Sequence, residues 1–288
     1  MTIDILIKQN LLSKKTMPLE VILGEHLCYG NVENDFLLTG KLGKDKFIAY
    51  NPDSIGRGFS VIWNPNEKEK IALRLSIPST PQELKDFYAA VERMVKYWDG
   101  TLIVDGIQSS LPKYLSTYDS MVESNYKAIK QLSAQVLEEE KELTLYSAMW
   151  PLTVGKEEAV LFVENPDRYA EWLHKMQTVD AYFPTPSVFE DENGEFFAVY
   201  ALSDNTCTIF PYQPTIPYGP IDPKTGNRIE CKKWIVAIYI EFMEEPVYSL
   251  EYSKFLALTP ENKKIHYDSK HFLLSELTIQ ELYDLYSK

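Results

Sequence analysis

The stretch from Gly58 to Asp105 constrains the fold most, because its hydrophobic pattern, turn residues and helix caps all agree. Apolar residues alternate with other residues from Phe59 to Trp63, and again from Ile71 to Ile77. Asn64-Pro65-Asn66-Glu67 separates the two runs, and such residues favour turns. Period-two alternation on both sides of a turn predicts a β-hairpin with one buried face.

A helix and a third strand are predicted directly after this hairpin. Thr80-Pro81-Gln82-Glu83 is typical of a helix start, since the threonine caps, the proline presets φ and the glutamate reaches back to the backbone. Apolar residues then recur at three- and four-residue steps from Leu84 to Trp98, which predicts a helix laid on a sheet. We expect Gly100 to end the helix, and Thr101–Val104 to form an inner strand.

Composition and charge exclude several classes of protein. The chain has 288 residues, of which 45% are hydrophobic, and this is enough to bury a full core. Its formal net charge of −13 repels phosphate backbones and anionic lipids, so we expect neither nucleic acid nor a membrane as partner. The amino terminus lacks the pattern of a signal peptide, and no apolar run is long enough to cross a bilayer. We therefore expect a cytoplasmic protein.

The rest of the chain predicts helices and strands in mixed order. Ahead of the central stretch we expect a strand over residues 2–8, a short helix within Pro18–Leu27 and a strand at Phe47–Tyr50. After a connector at residues 106–112 we expect a long helix to about Glu139, strands at Leu143–Trp150 and Ala159–Val163, a helix begun by Asn165-Pro166, and a strand at Val179–Phe183. The last third is mostly β, with strands at Glu195–Leu202, Thr206–Phe210 and Trp234–Phe242 and a final helix after Thr278.

This order predicts an α+β protein of two packed halves, residues 1–112 and 113–288. Each half is expected to be a mostly antiparallel sheet with an amphipathic helix on one face. The predicted elements of the second half repeat the order strand, strand, proline-started helix, strand, which raises the hypothesis of a duplicated module.

Ile55-Gly56-Arg57-Gly58 has two possible roles. Glycines on both sides of an arginine can form a nest of backbone amides that holds an anion. Phosphate-binding loops of this kind lead into a helix, whereas here a strand follows. A tight bend or bulge before the strand is therefore the favoured interpretation.

Three short motifs match those of the penicillin-recognising serine enzymes, but their context contradicts the match. They are Ser124-Asn125-Tyr126-Lys127, Ser203-Asp204-Asn205 and Lys224-Thr225-Gly226. The first serine lies within a predicted helix instead of at its start, and the other two motifs have the composition of turns. We assign no catalytic residue and no cofactor.

His266, Asp268 and His271 form the tightest group of metal-ligand side chains. They lack the one-turn helical spacing and the second cluster that a zinc site requires. A polar loop is the favoured interpretation, and the group is retained only as a weak metal candidate.

The most distinctive loop runs from Pro211 to Pro220. Its prolines favour a stiff polyproline conformation that presents two tyrosines, so the residues that would bind a partner are Tyr212, Pro214, Pro217 and Tyr218. The same composition suits a simple spacer between strands, and the sequence leaves both interpretations open.

Three segments together resemble a known family. They are Phe47-Ile48-Ala49-Tyr50-Asn51-Pro52, Ile55-Gly56-Arg57-Gly58-Phe59 and the helix end Tyr97-Trp98. With these segments and its length, the chain resembles an uncharacterised family of roughly 300-residue proteins from low-GC Gram-positive bacteria, known as a domain of unknown function. The resemblance implies no activity, and no functional residue is carried over from it.

These observations favour a non-enzymatic interaction or regulatory protein that binds an unknown protein partner. The reason is the lack of a nucleophile with a base, of paired carboxylates in a recognisable motif and of a cofactor fingerprint. The alternative is a small-molecule binder or hydrolase with its site between the two halves.

Overall fold

The computed structural model describes residues 1–10, 15–32, 37–43, 45–216, 219–222, 224–240 and 244–287. The chain divides into two compact units, Met1–Thr178 and Val179–Lys288. The expected boundary between residues 112 and 113 lies inside the first unit. The reason is that the long helix after the connector packs against helices on both sides of it in sequence, so the chain stays in one core beyond residue 112.

The first unit combines a large sheet, a two-stranded sheet and six helices within the described residues. Its strands are β1 Thr2–Lys8, β2 Cys28–Val32, β3 Leu38–Thr39, β4 Lys46–Tyr50, β5 Phe59–Ile62, β6 Lys70–Ser76, β7 Thr101–Val104, β8 Ile107–Ser109, β9 Leu143–Leu145 and β10 Leu152–Val154. Its helices are α1 Leu19–Leu23, α2 Pro81–Trp98, α3 Leu111–Leu115, α4 Tyr118–Glu139, α5 Lys156–Glu164 and α6 Asp167–Gln177.

The large sheet has eight strands in the order β3-β2-β4-β5-β6-β1-β7-β8, and its neighbouring strands are antiparallel. The predicted unit of hairpin, helix and strand is confirmed as β5, β6, α2 and β7. One face of the sheet packs on α2, since alternate residues of β1 and β6 join the apolar side of that helix in one buried cluster. In α2 the predicted capping box is present, whereas the left-handed residue that ends the helix is Asp99 instead of Gly100.

The second unit holds two smaller sheets, two α-helices and one short 3-10 helix, Glu261–Lys263, within the described residues. Its strands are β11 Ser187–Glu190, β12 Phe196–Ser203, β13 Thr208–Pro211, β14 Lys233–Tyr239, β15 Tyr248–Glu251, β16 Lys264–His266 and β17 His271–Leu274, and its helices are α7 Tyr252–Leu258 and α8 Ile279–Ser287. The sheet orders are β11-β12-β14-β15 and β13-β17-β16. β12 and β14 run parallel, while the other paired strands of these two sheets are antiparallel.

The α+β class is confirmed, and two predicted elements are wrong. The unbroken apolar run at residues 159–163 predicts a strand, but these residues form part of α5. The reason is that Gly155 and Glu158 build a helix start ahead of them. Val179–Phe183 is not a strand and contributes only one isolated bridge, Tyr182 to Thr208. The order after residue 140 is therefore strand, strand, helix, helix, and the duplicated order is not observed. Among the described residues, no helix is long and apolar enough to cross a membrane.

We expect Phe87→Ala to lower the free energy of unfolding by about 3–5 kcal/mol, because truncating a buried phenylalanine leaves a cavity. Phe87 is fully buried, and its ring lies 5.3 Å from that of Phe59 on the sheet. Tyr97→Ala on the same helix is the matched control, since Tyr97 is exposed and should cost less than about 1 kcal/mol. Urea denaturation measures both, and equal losses would contradict the assignment of α2 as the core helix.

Candidate functional site

The most polar part of the first unit is a buried cluster around the Glu83 carboxylate. Glu83 lies in the first turn of α2 and is 2% exposed. One carboxylate oxygen, Oε2, accepts hydrogen bonds from Ser79 Oγ at 2.6 Å and from the Thr80 backbone N–H at 3.1 Å. The other, Oε1, accepts a hydrogen bond from the backbone N–H of Gly58. The side chain therefore caps its own helix and holds the loop before β5.

Glycine is required at two positions of that loop. A Cβ atom on Gly56 would lie 2.3 Å from the carboxyl carbon of Glu83, so a side chain there would displace the carboxylate. Gly58 has a φ of +68°, in the left-handed region that favours glycine. The predicted bend is thus present, and the anion that the Gly58 amide binds is the chain's own Glu83.

Burial raises the pKa of Glu83, while the hydrogen bonds from Ser79, Thr80 and Gly58 oppose that shift. Burial also raises the pKa of Tyr169, whose hydroxyl donates to the Pro78 carbonyl at 3.2 Å. Arg57 donates to the same carbonyl at 3.1 Å through Nη1, and to the Tyr146 carbonyl through Nε. The guanidinium thus joins the helix start to a second segment of the unit.

Three further side chains hold the backbone around this cluster. Asn125 on α4 bonds both the N–H and the carbonyl of Ser79, each at 2.7 Å. Gln177 on α6 donates to the Gly56 carbonyl at 2.6 Å. His174 accepts the Ile55 N–H through Nδ1 at 3.0 Å, which places its remaining ring proton on Nε2.

A second carboxylate, Asp86, lies one turn further along α2 and is 4% exposed. It accepts hydrogen bonds from Asn51 and Gln82, and lies 3.0 Å from His26 Nε2. Glu83 and Asp86 therefore both have their oxygens occupied by donors of the same unit. Buried carboxylates that are hydrogen-bonded in this way stabilise and orient a fold.

The structure places the predicted binding loop in the second unit and anchors part of it. Pro211 is the last residue of β13 and is buried. Tyr212 is 42% exposed, with its ring 5.4 Å from that of Phe272. Pro214 lines a cavity of about 290 Å³ beside Trp234. Pro217 and Tyr218 lie outside the described residues, so the recognition role of this loop stays a prediction.

The three residues of the weak metal candidate lie around the β16–β17 hairpin. Asp268 is fully buried and contacts His271 Nδ1 at 2.8 Å, while also accepting the backbone N–H groups of Lys270 and His271. His266 pairs in register with Phe272, so it points to the other face from His271. The described residues contain no group of three histidine, cysteine or acidic side chains that could hold a metal ion.

The exposed side of the large sheet carries an apolar row that runs across four strands. β5, β6, β1 and β7 place four residues next to one another in register, and these define what we call the open sheet face: Ile62, Ala72, Leu6 and Ile103. Ile62 is 58% exposed, and the other three are half-buried. The solvated face of an antiparallel sheet normally carries polar residues, so an apolar row on this face is an exception.

Two cavities, each of about 440 Å³, meet along this row and share Leu6, Ile62 and Ala72 as lining residues. The charged side chains that line them are three acidic and three basic: Asp4, Asp45, Glu67, Lys46, Lys70 and Arg74. Arg74 forms an ion pair with Asp4, and the charge of Lys70 attracts the Glu67 carboxylate. The open sheet face is therefore locally neutral in a chain whose formal net charge is −13.

Sequence reasoning missed the open sheet face as a site. Its four residues come from separate strands, and only the pairing register places them in one row. One signal was available in the sequence. Leu6, Ile62 and Ile103 are apolar residues at strand positions where the alternation predicts polar, solvent-facing side chains.

The fold and these surfaces define a mixed α+β protein whose buried carboxylates serve the structure and whose largest sheet presents an apolar row. A family model described as "Domain of unknown function (DUF4299)" matches residues 2–285. The chain belongs to that family, and the match runs through both units. Comparisons with curated proteins and with solved structures give no match.

We expect Gly56→Ala to lower the free energy of unfolding by about 1–3 kcal/mol, because the added methyl group overpacks the Glu83 carboxylate. Gly40→Ala is the matched control, since a Cβ atom there meets nothing within 4 Å. It should change stability by less than about 1 kcal/mol. Thermal and urea denaturation compare the two, and an unaffected Gly56→Ala protein would disprove the close approach.

The raised pKa of Glu83 predicts that the stability of the folded protein depends on pH. Its pKa in the folded protein lies above that of the unfolded chain, about 4.3, so the folded state binds the proton more tightly. This contribution to stability is complete below pH of about 4.3 and is lost as the pH rises through the folded-state pKa. Over that range, the free energy of unfolding should fall more in the wild type than in Glu83→Gln.

Urea denaturation at a series of pH values above the unfolded pKa measures this difference. Glu123→Gln is the control, because Glu123 is an exposed glutamate on α4 and should keep the wild-type slope. Parallel pH profiles for the wild type and Glu83→Gln would show that burial does not raise the pKa of Glu83.

Proposed function

We propose that this chain is a non-enzymatic protein-interaction protein of the bacterial cytoplasm, and that its partner binds the open sheet face. The observation that carries the proposal is the 58% exposure of Ile62, which lies at one end of an apolar row. Exposed apolar patches with charged rims are a mark of interaction surfaces. Burial of this row by a partner removes apolar area from water, which drives association.

The charge of the open sheet face supports a protein partner. Most of an acidic chain's surface repels other acidic proteins, and this face does not, since its lining side chains carry three charges of each sign. The row also lies on strands in the centre of an eight-stranded sheet, which holds it in a fixed shape. A rigid surface binds with a smaller loss of conformational entropy than a loop does.

The alternative, a small-molecule binder or hydrolase, needs polar groups that converge on a cavity. The buried polar cluster of the first unit has its carboxylates already occupied by Ser79, Thr80, Gly58, Asn51 and Gln82. Polar groups that are hydrogen-bonded in this way contribute to folding, which favours the interaction proposal over this alternative.

We expect Ile62→Asp to reduce recovery of the partner by at least tenfold, because a carboxylate in the apolar row must be desolvated on binding. The measurement is affinity capture of the tagged protein from cells that naturally express it, with mass spectrometry of the captured proteins. Ile265→Asp is the matched control, since Ile265 is an isoleucine on another strand with 52% exposure. It should retain the wild-type partners.

Equal capture by Ile62→Asp and the wild type would contradict the proposed surface. Recovery of one stoichiometric metabolite without a protein partner would favour the small-molecule alternative. Thermal denaturation of all three proteins tests whether unfolding causes a loss of capture. We expect both variants to stay folded, because substitutions at such exposed positions usually change stability by about 0.5 kcal/mol or less.

A further inference from the structure

Helix α5 presents a second exposed apolar surface in the first unit. Ala159 and Phe162 are fully buried, while three aliphatic residues on the other side form what we call the outer side of α5: Val160, Leu161 and Val163, which are 41%, 38% and 42% exposed. The solvent-facing side of a surface helix normally carries polar or charged residues, and three neighbouring aliphatic residues there are unusual. The outer side of α5 is therefore an apolar surface that the isolated chain leaves exposed.

The outer side of α5 matches the open sheet face in length. A nine-residue helix is about 14 Å long at 1.5 Å per residue. The apolar row spans three strand spacings from Ile62 to Ile103, which is also about 14 Å. A helix laid along the row would cover it from one end to the other.

Their charges are complementary as well. Lys156, Glu157 and Glu164 all lie within one turn of Val160 and on its side of α5, so acidic residues outnumber the basic one there. On the sheet, Lys46 stands at the Ile62 end of the row, and Lys8 is two residues from Leu6 on the same face. Neither lysine forms an ion pair among the described residues. An acidic helix on this face would meet unpaired positive charge at its rim.

We propose that the occupant of the open sheet face is helix α5 of a second copy of this chain. This inference rests on the proposed function and names the partner. Each copy supplies one sheet face and one helix, so the contact joins two different surfaces and is heterologous. A single short helix buries less than the about 800 Å² per partner of a standard interface, so the association should be reversible and depend on concentration.

A complementation experiment tests this directly by sedimentation velocity and native mass spectrometry of the purified chain. Ile62→Asp inactivates the sheet face and Val160→Asp inactivates the helix, so each variant alone should be monomeric where the wild type self-associates. An equimolar mixture should recover a heterodimer, because the intact helix of the first variant binds the intact sheet of the second. Ile265→Asp should behave as the wild type does.

Several outcomes would overturn the proposal. One is a wild type that stays monomeric up to about 100 µM, a concentration that detects weak dimers. Another is a Val160→Asp variant that still self-associates, which would indicate face-to-face packing of two sheets. A mixture that fails to recover the heterodimer would also overturn it. If the wild type is monomeric and Ile62→Asp still abolishes capture of another protein, the proposed function stands with a different partner.

Charge reversal provides an independent readout. Lys8→Glu with Lys46→Glu should weaken self-association by about tenfold, since both rim charges then repel Glu157 and Glu164. Mixing that variant with Glu157→Lys, Glu164→Lys should restore the contact. Unchanged association in the reversed sheet variant would contradict the charge pairing.

Discussion

The first unit depends on one buried carboxylate, that of Glu83. It completes the cap of α2 through Thr80 and, through Gly58, fixes the loop that leads into β5. Glu83 thereby links the start of the helix to the loop that leads into the sheet. Burying a carboxylate is costly, and here three donors offset that cost. The absence of a Cβ atom on Gly56 is what allows the approach.

This arrangement separates structure from function in the first unit. Perturbed pKa values often mark active sites, but ion-pair and hydrogen-bond networks inside a core produce them too. At Glu83 the donors are the Ser79 hydroxyl and the backbone N–H groups of Thr80 and Gly58, so the groups around this carboxyl belong to the fold of the same unit. On the surface, the open sheet face and the outer side of α5 expose aliphatic side chains in a strongly acidic chain.

The sequence predicted those elements in which local signals agree. The hairpin of β5 and β6, the capping box of α2 and the strand β7 all follow from alternation, turn residues and caps. Residues 159–163 misled because an unbroken apolar run suits a buried strand as well as a helix, and the Gly155 and Glu158 helix start decided between them. The division at Thr178 was not predictable either, because it depends on the packing of α4 against α2 and α5.

The site was less accessible to sequence reasoning than the fold. Tyr212 and Pro214 lie in one contiguous proline-rich stretch, which the sequence shows directly. The row of Leu6, Ile62, Ala72 and Ile103 is instead assembled from residues almost a hundred positions apart. The glycine–arginine–glycine loop was recognisable as a bend and as a possible anion site. Its anion, Glu83, had already been identified for capping, and only the tertiary structure shows that both roles belong to one side chain.

The most direct measurement of the central claim is photo-crosslinking from the open sheet face. The chain is prepared with p-benzoylphenylalanine in place of Ile62, mixed with ¹⁵N-labelled wild type, irradiated and digested for mass spectrometry. If helix α5 of another copy occupies this face, crosslinked peptides should join an unlabelled chain to a ¹⁵N-labelled chain, and the labelled peptide should contain residues 156–164. Crosslinks confined to one chain, or intermolecular crosslinks to the strands of the large sheet, would contradict it.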